Sequence, residues 1–197
     1  MTDMKIKPAV SLNPGDIITL ADVKFAVLDI IDGCPFVVAL LNQGNSKFGD
    51  NNDYSKSFLR NAMNNWLEDF DIDSDLVMER EIDLTTLDGY KGYGKLKVKA
   101  APLTMDEARR YAELIPNPDS WSWLATGWGG TEENGSQDAL NVNSNGGWDY
   151  GSCANSNGIR PALMLSSALL TSVEIKTDLT GVSTDELLAE LKRRTEE

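Results

Sequence analysis

The chain contains no histidine, and its 197 residues include only two cysteines. The first absence removes Ser-His-Asp and Cys-His catalysis, histidine metal sites and the usual general base near neutral pH. Cys34 and Cys153 are too few for a disulfide framework, and their spacing fits no zinc pattern. Sparse cysteine points to a reducing compartment, in which a bridge between the two is not expected. Cys34 lies in a hydrophobic run and reads as a small core residue, whereas Cys153 lies in a polar stretch and reads as an exposed thiol.

Positive charge is also scarce. Eighteen Lys and Arg face 31 Asp and Glu, a net charge of −13. Nucleic-acid phosphates and anionic membranes repel such a chain, so neither is expected as a partner. From Tyr111 to Ile159 there is no Lys or Arg, while Glu113, Asp119, Glu132, Glu133, Asp138 and Asp149 fall inside that gap. A neutral or cationic partner is favoured there. No run approaches the roughly 18 apolar residues of a membrane span. The opening MTDMKIKPAVSLNPGD has no apolar h-region, so a secretory signal is not expected and cytoplasmic synthesis is.

What is present begins with a core. Hydrophobic residues make up 41% of the chain, and its length fits one domain with an appendage. Pro14-Gly15-Asp16 is a turn that feeds Ile17 to Leu20, then Lys24 to Ile31, then Phe36 to Leu41. Asp32-Gly33 signals a hairpin, lengthened by Cys34-Pro35, and the whole reads as an antiparallel meander. Asn42 to Tyr54 reads as a loop. Ser57 suits an N-cap, and Phe58, Leu59, Ala62, Met63, Trp66, Leu67 and Phe70 follow at helical spacing, with the acidic run Asp71 to Asp75 ending the helix. Glu81 to Tyr93 is ambiguous, and Lys97 to Ala101 suits a short strand. Thr104-Met-Asp-Glu107 is a capping box for a second helix, with Ala108, Tyr111, Ala112 and Ile115 on one face and Pro116-Asn-Pro118 ending it.

Trp121 to Thr126 reads as a strand, with one of Trp121 and Trp123 in the core. Ala139 to Val142 and the residues around Trp148 suit short strands bridged by Asn145-Gly146-Gly147. Ile159 to Leu165 reads as the last core strand, set at an edge or bulge by Pro161, with an extension near Thr171 to Ile175. Arg160, inside that apolar run, needs a carboxylate or carbonyl partner and reads as a structural pin. Ser183-Thr-Asp-Glu186 is a further capping box. The Leu187, Leu188, Leu191 helix after it is too short to stand alone and must dock on this domain or on a second copy.

Residues 127–157 are built almost wholly from Asn, Gly and Ser with a few aromatics, and they join core elements at both ends. Rigid aromatics among small polar residues make a recognition surface. Trp128, Trp148 and Tyr150 supply the rings, although a core place suits Trp148 equally. The acidic oxygens of this stretch form no D-x-D-x-D-G loop, so no metal is expected, and no carboxylate dyad stands out.

These pieces carry a family pattern. WSWLAT at 121–126, the turn at 145–147 and GIRPALML at 158–165 resemble the C-terminal half of a C-type-lectin-like family. That family includes bacterial and phage domains ending in a Gly-Val-Arg-Pro-Ala-Leu strand. PGDIITL, KFAVLDI, SKSFLRNAMNNWLEDF and APLTMDEARRY are similar to the family's strand, strand, helix and helix, so the resemblance spans residues 14–168. It implies a fold related to formylglycine-generating enzymes and to the variable proteins of diversity-generating retroelements. The enzyme branch uses a cysteine pair late in the domain, which Cys34 does not match. In the retroelement branch, adenine mutagenesis of Asn codons yields Asn, Ser, Gly, Asp, Tyr and Cys. Asn134, Ser136, Asp138, Asn141, Asn143, Asn145, Asp149, Tyr150, Cys153, Asn155 and Asn157 are of those types, whereas Glu132 and Glu133 are not. Pro116-Asn117-Pro118-Asp119 matches a Glu-Pro-Asn motif only superficially and a Trp-Asn-Asp motif is missing, so a Ca²⁺-dependent sugar site is not expected.

The resulting expectation is an α+β, C-type-lectin-like domain over 1–175, with antiparallel strands, two helices and a long irregular ligand-facing region, followed by a helical tail over 176–197. Its function is non-enzymatic binding of a protein or glycan ligand, without cofactor, by a phage- or prophage-encoded protein. The ligand contacts are those eleven residues with Trp128 and Trp148. The rival is a structural virion or assembly component whose tail helix joins copies of the chain.

Overall fold

The computed structural model describes residues 5–8, 12–167 and 170–174. The tail helix expected over 183–197 lies outside them. Among the described residues the chain is a mixed α+β protein with two α-helices and mostly antiparallel sheets. The strands are β1 (Lys5–Pro8), β2 (Ile17–Leu20), β3 (Val23–Ile31), β4 (Cys34–Ala39), β5 (Asn45–Lys47), β6 (Val77–Met78), β7 (Arg80–Asp83), β8 (Lys95–Val98) and β9 (Ala100–Ala101). They continue as β10 (Ser122–Gly127), β11 (Asp138–Val142), β12 (Trp148–Ser152), β13 (Ser156–Gly158), β14 (Ala162–Leu165) and β15 (Leu170–Glu174). Helix α1 is Phe58–Asp69 and α2 is Met105–Arg110.

The larger sheet runs β1-β15-β2-β3-β4-β14-β6, with β9 also on β14. Its central strands β3, β4 and β14 are buried on both faces. Phe25, Val27, Val37, Ala39, Leu163 and Leu165 pack with Trp66, Leu67 and Phe70 of the α1 segment. The alternating residues Ala26, Leu28, Phe36, Val38 and Ala162 pack on the other side with Met105 and Ala108 of α2 and with Leu124 and Leu140. Double burial is why these strands read as unbroken apolar runs instead of alternating ones. The smaller sheet runs β12-β11-β10-β13-β5, with β10 and β13 parallel; β7 and β8 form a separate ribbon. A third cluster, around Phe48, Tyr54, Leu59, Met63, Trp123 and Cys153, fills the space between α1 and the smaller sheet.

Local signals hold where their mechanism is local. Ser57 caps α1, its hydroxyl accepting from the Arg60 N–H, and Thr104 with Glu107 forms the capping box of α2. Several expectations are corrected by context. Cys34-Pro35 does not lengthen the β3–β4 turn: Asp32 (φ 51°) and Gly33 (φ 79°) form a two-residue turn and pairing starts at Cys34. Cys34 is half-buried, its Sγ 3.3 Å from Met78 Sδ, because it sits at the strand's start instead of its middle. The 42–54 loop contains β5. Helix α2 ends at Arg110, well before Pro116. The 159–165 run is not one strand, because the chain leaves β13 in the smaller sheet and enters β14 in the larger one. Pro161 lies in that crossing, so it interrupts no ladder, and β14 is internal to the sheet. Arg160 pins the crossing, with Nε donating to Ala39 O at 2.6 Å and Nη2 to Pro116 O at 2.7 Å. Strand β15 matches the expected extension and inserts between β1 and β2.

Candidate ligand-binding surface

Residues 127–157 form a loop and a hairpin. The loop, 128–137, is anchored from beneath by Asn52. Asn52 is 1% exposed; its Nδ2 lies 2.9 Å from Gly129 O and 2.7 Å from Asp138 O, and its Oδ1 accepts from Tyr93 Oη at 2.8 Å. The Asn52 backbone N–H donates to Ser136 O, and Asp88 Oδ2 accepts from the Gly130 N–H. Backbone groups that an irregular loop would leave to water are thus met inside the protein.

The hairpin pairs β11 with β12 in register Asp138↔Ser152 to Val142↔Trp148. Its turn is closed by Asn143, whose Oδ1 accepts from the Asn145 and Gly147 N–H groups, with Gly146 at φ 79°. The Asn143 N–H donates to Gly147 O and that of Cys153 to Gln137 O. Hydrogen-bonded pairs alternate along an antiparallel ladder, so the N–H groups of Trp148, Tyr150 and Ser152 point outward from the sheet edge. The outward N–H of Tyr150 is taken by Asp149 Oδ1 at 2.8 Å.

Strand alternation divides the expected contacts between two faces. Trp148, Tyr150 and Ser152 share one face with Asp138, Leu140 and Val142; Asp149 and Gly151 share the other with Ala139 and Asn141. On the first face the Trp128 and Tyr150 rings lie 4.2 Å apart at 32°, both exposed. Trp148, 46% exposed, is no core residue; it borders a cavity of about 100 Å³ formed with Ile115, Pro116, Leu124, Val142 and Arg160. On the second face an open depression of about 520 Å³ is lined by Trp121, Asn141, Asp149, Gly151, Asn155 and Asn157, among others.

Three expected contacts, Ser136, Asn141 and Cys153, are buried instead of exposed, although Asn141 borders the depression. Ser136 is tied into the loop by its backbone, donating to Thr131 O and accepting from Asn52. Cys153 packs among Phe48, Trp123 and Ile159; burial pushes its thiol up to about 12, with the Asp138 carboxylate adding to the shift. Asn143 serves the turn, and with Asp138 and Asn157 it is half-buried. Asn134, Asn145, Asp149, Tyr150 and Asn155 are exposed as expected.

Two important groups were not singled out from sequence. Asn52 has no local signature among the many Asn residues; only the fold brings it under the loop. Trp121 is 43% exposed while Trp123 is buried, its indole N–H donating to Ser46 O. The alternating WSW pattern signalled that one ring is inside without saying which. Among the described residues, no group of three or more His, Cys, Asp or Glu side chains gathers to hold a metal, and no helix is long and apolar enough to cross a membrane. Comparison with family models, curated proteins and solved structures returned no match for this chain.

Proposed function

We propose that the chain is a non-enzymatic binding protein of C-type-lectin-like architecture that presents the 138–152 hairpin and the loop before it to a protein or glycan ligand. The observation that carries this reading is the exposed Trp128–Tyr150 ring pair beside half-exposed Trp148, set on a hairpin whose turn and neighbouring loop are internally hydrogen-bonded. Exposed large rings on pre-ordered backbone gain contact area at little entropic cost. Phage or prophage origin and retroelement diversification belong to the same proposal. Diversification predicts codon variation at exposed Asn134, Asn145, Asp149, Tyr150 and Asn155, and constancy at buried Ser136 and Cys153.

The test is binding of the full chain to arrayed glycans and displayed peptides. A ligand found there should lose at least tenfold in affinity, about 1.4 kcal/mol, with Tyr150→Ala or Trp148→Ala. Both variants should keep the parent's stability to within about 1 kcal/mol. Ligands indifferent to both substitutions would remove the hairpin from the binding surface.

A further inference from the structure

The cavity bordered by Trp148 holds a cation without a counter-charge. Arg160 forms part of its wall and is 6% exposed. A guanidinium carries five N–H donors. The chain takes two of them, Nε donating to Ala39 O at 2.6 Å and Nη2 to Pro116 O at 2.7 Å. Both acceptors are neutral carbonyls. Among the described residues Arg160 has no ion pair, and no Asp or Glu lines the cavity. Burial pushes the guanidinium down to about 10, a shift that the Asp119 carboxylate opposes from beyond ion-pair distance. A buried charge left without a counter-ion is destabilising. Nη1 has no partner among the described residues, yet it is not enclosed, in contrast to the unpartnered Arg80 Nε. Nε and Nη2 share one edge of the guanidinium plane, so the free end is Nη1 with the second Nη2 hydrogen. That end is a fork that takes a carboxylate through two parallel bonds.

The other walls select the body of the ligand. Ile115, Pro116, Leu124, Val142 and Trp148 give an apolar lining. A dry cavity of roughly 150 Å³ accepts benzene, so the volume of about 100 Å³ accepts about four carbon atoms. Trp148 is 46% exposed and Arg160 6%, which places the guanidinium at the inner end and the indole at the outer one. A polypeptide C-terminus fits this order poorly, because its main chain would have to leave beside the carboxylate, at the closed end. The net charge of −13 repels anions at long range, but salt screens that repulsion while the fork acts at contact. We propose that the cavity binds a small alkyl monocarboxylate of about five carbons, its carboxylate on the free end of Arg160 and its chain against Val142 and Trp148. The site lies inside the hairpin turn and does not rest on the outer face of the hairpin being a binding surface.

The test titrates the ¹⁵N-labelled full chain with isovalerate, with isovaleramide, which has nearly the same shape without the charge, and with acetate, which lacks the apolar body. Isovalerate should shift the Arg160 Nε–H and the Trp148 indole signals saturably, with Kd on the order of 1 mM, and leave the Trp66 indole in place. The amide and acetate should each bind at least about tenfold more weakly. Val142→Phe fills the cavity without touching Arg160 and should weaken isovalerate at least about tenfold while the chain stays folded. No saturable response to isovalerate up to about 50 mM overturns the proposal. Equal affinity for the amide overturns the carboxylate assignment, and a Trp148 shift without an Arg160 shift removes the guanidinium from the site. Unchanged affinity in a folded Val142→Phe variant places binding elsewhere and overturns the proposal too. Tighter binding of acetyl-Gly-Leu than of isovalerate overturns the small-acid assignment in favour of a polypeptide C-terminus. None of these outcomes bears on the outer face, whose reading falls separately, through indifference to Tyr150→Ala.

Discussion

At the scale of single residues, burial decides what a polar side chain does, and composition alone does not report burial. Cys153 sits in an Asn/Ser/Gly stretch, yet it lies in the cluster around Trp123, its N–H donating to Gln137 O and its carbonyl accepting from the Phe48 N–H. The two thiols should therefore behave oppositely. In the native protein at pH 8 a thiol reagent should label Cys34, which is half-buried, and leave Cys153 unmodified; both should react in denaturant. The Cys153 value is raised in the folded state, so its contribution to stability is whole below the unfolded thiol range and is lost as pH rises toward about 12. A melting temperature measured against pH should fall above about pH 9, and Cys153→Ala should flatten that fall. A thiol that labels rapidly at Cys153, or an unchanged slope in the variant, would contradict this placement.

At the scale of elements, what was legible was what depends on near neighbours. The caps of both helices, the 3.6-residue repeat of α1, the Asp-Gly turn and the Asn-Gly-Gly turn all rest on contacts within a few residues. What was not legible depends on partners distant in sequence. Arg80 shows this at the capping box. Its guanidinium is buried, lies 4.9 Å from the Phe36 ring centroid and pairs with Glu107, the same carboxylate whose other oxygen accepts the Thr104 N–H. The box was readable from spacing, whereas its second duty as partner of a buried cation was not. The two duties are separable. Thr104→Ala removes the cap and should cost about 1 kcal/mol. Glu107→Gln keeps a cap-competent amide but strips Arg80 of its counter-charge, and should cost about 3 kcal/mol in urea unfolding. Equal losses from the two substitutions would mean that the ion pair adds nothing beyond the cap.

At the scale of the whole molecule, two sheets are joined where the chain passes from β13 to β14. GIRPALML was readable as a core segment but not as a crossing, since both halves are apolar and nothing local marks the change of sheet. Arg160 marks it in three dimensions: it binds the end of β4 through Ala39 and the 116–118 segment through Pro116. Arg160→Met should preserve much of the apolar packing and forfeit both charge-assisted bonds, a loss of about 3 kcal/mol in denaturant unfolding. An unaffected midpoint would show that the crossing holds without its pin. The candidate surface was legible as a region and not as a geometry. Composition located the region, but the period-2 alternation of a hairpin sends Tyr150 and Asp149 to opposite faces, so one list of contacts became two.

The edge strand β12 has a consequence for company in solution. Its outward N–H groups lie between exposed rings at Trp148 and Tyr150, the kind of border that invites a neighbouring chain to zip on. Asp149 occupies the middle N–H with its own carboxylate and adds a charge that two abutting copies would have to bring together. The border thus has a partial stop: a strand pairing along it would have to displace the Asp149 carboxylate from the Tyr150 N–H.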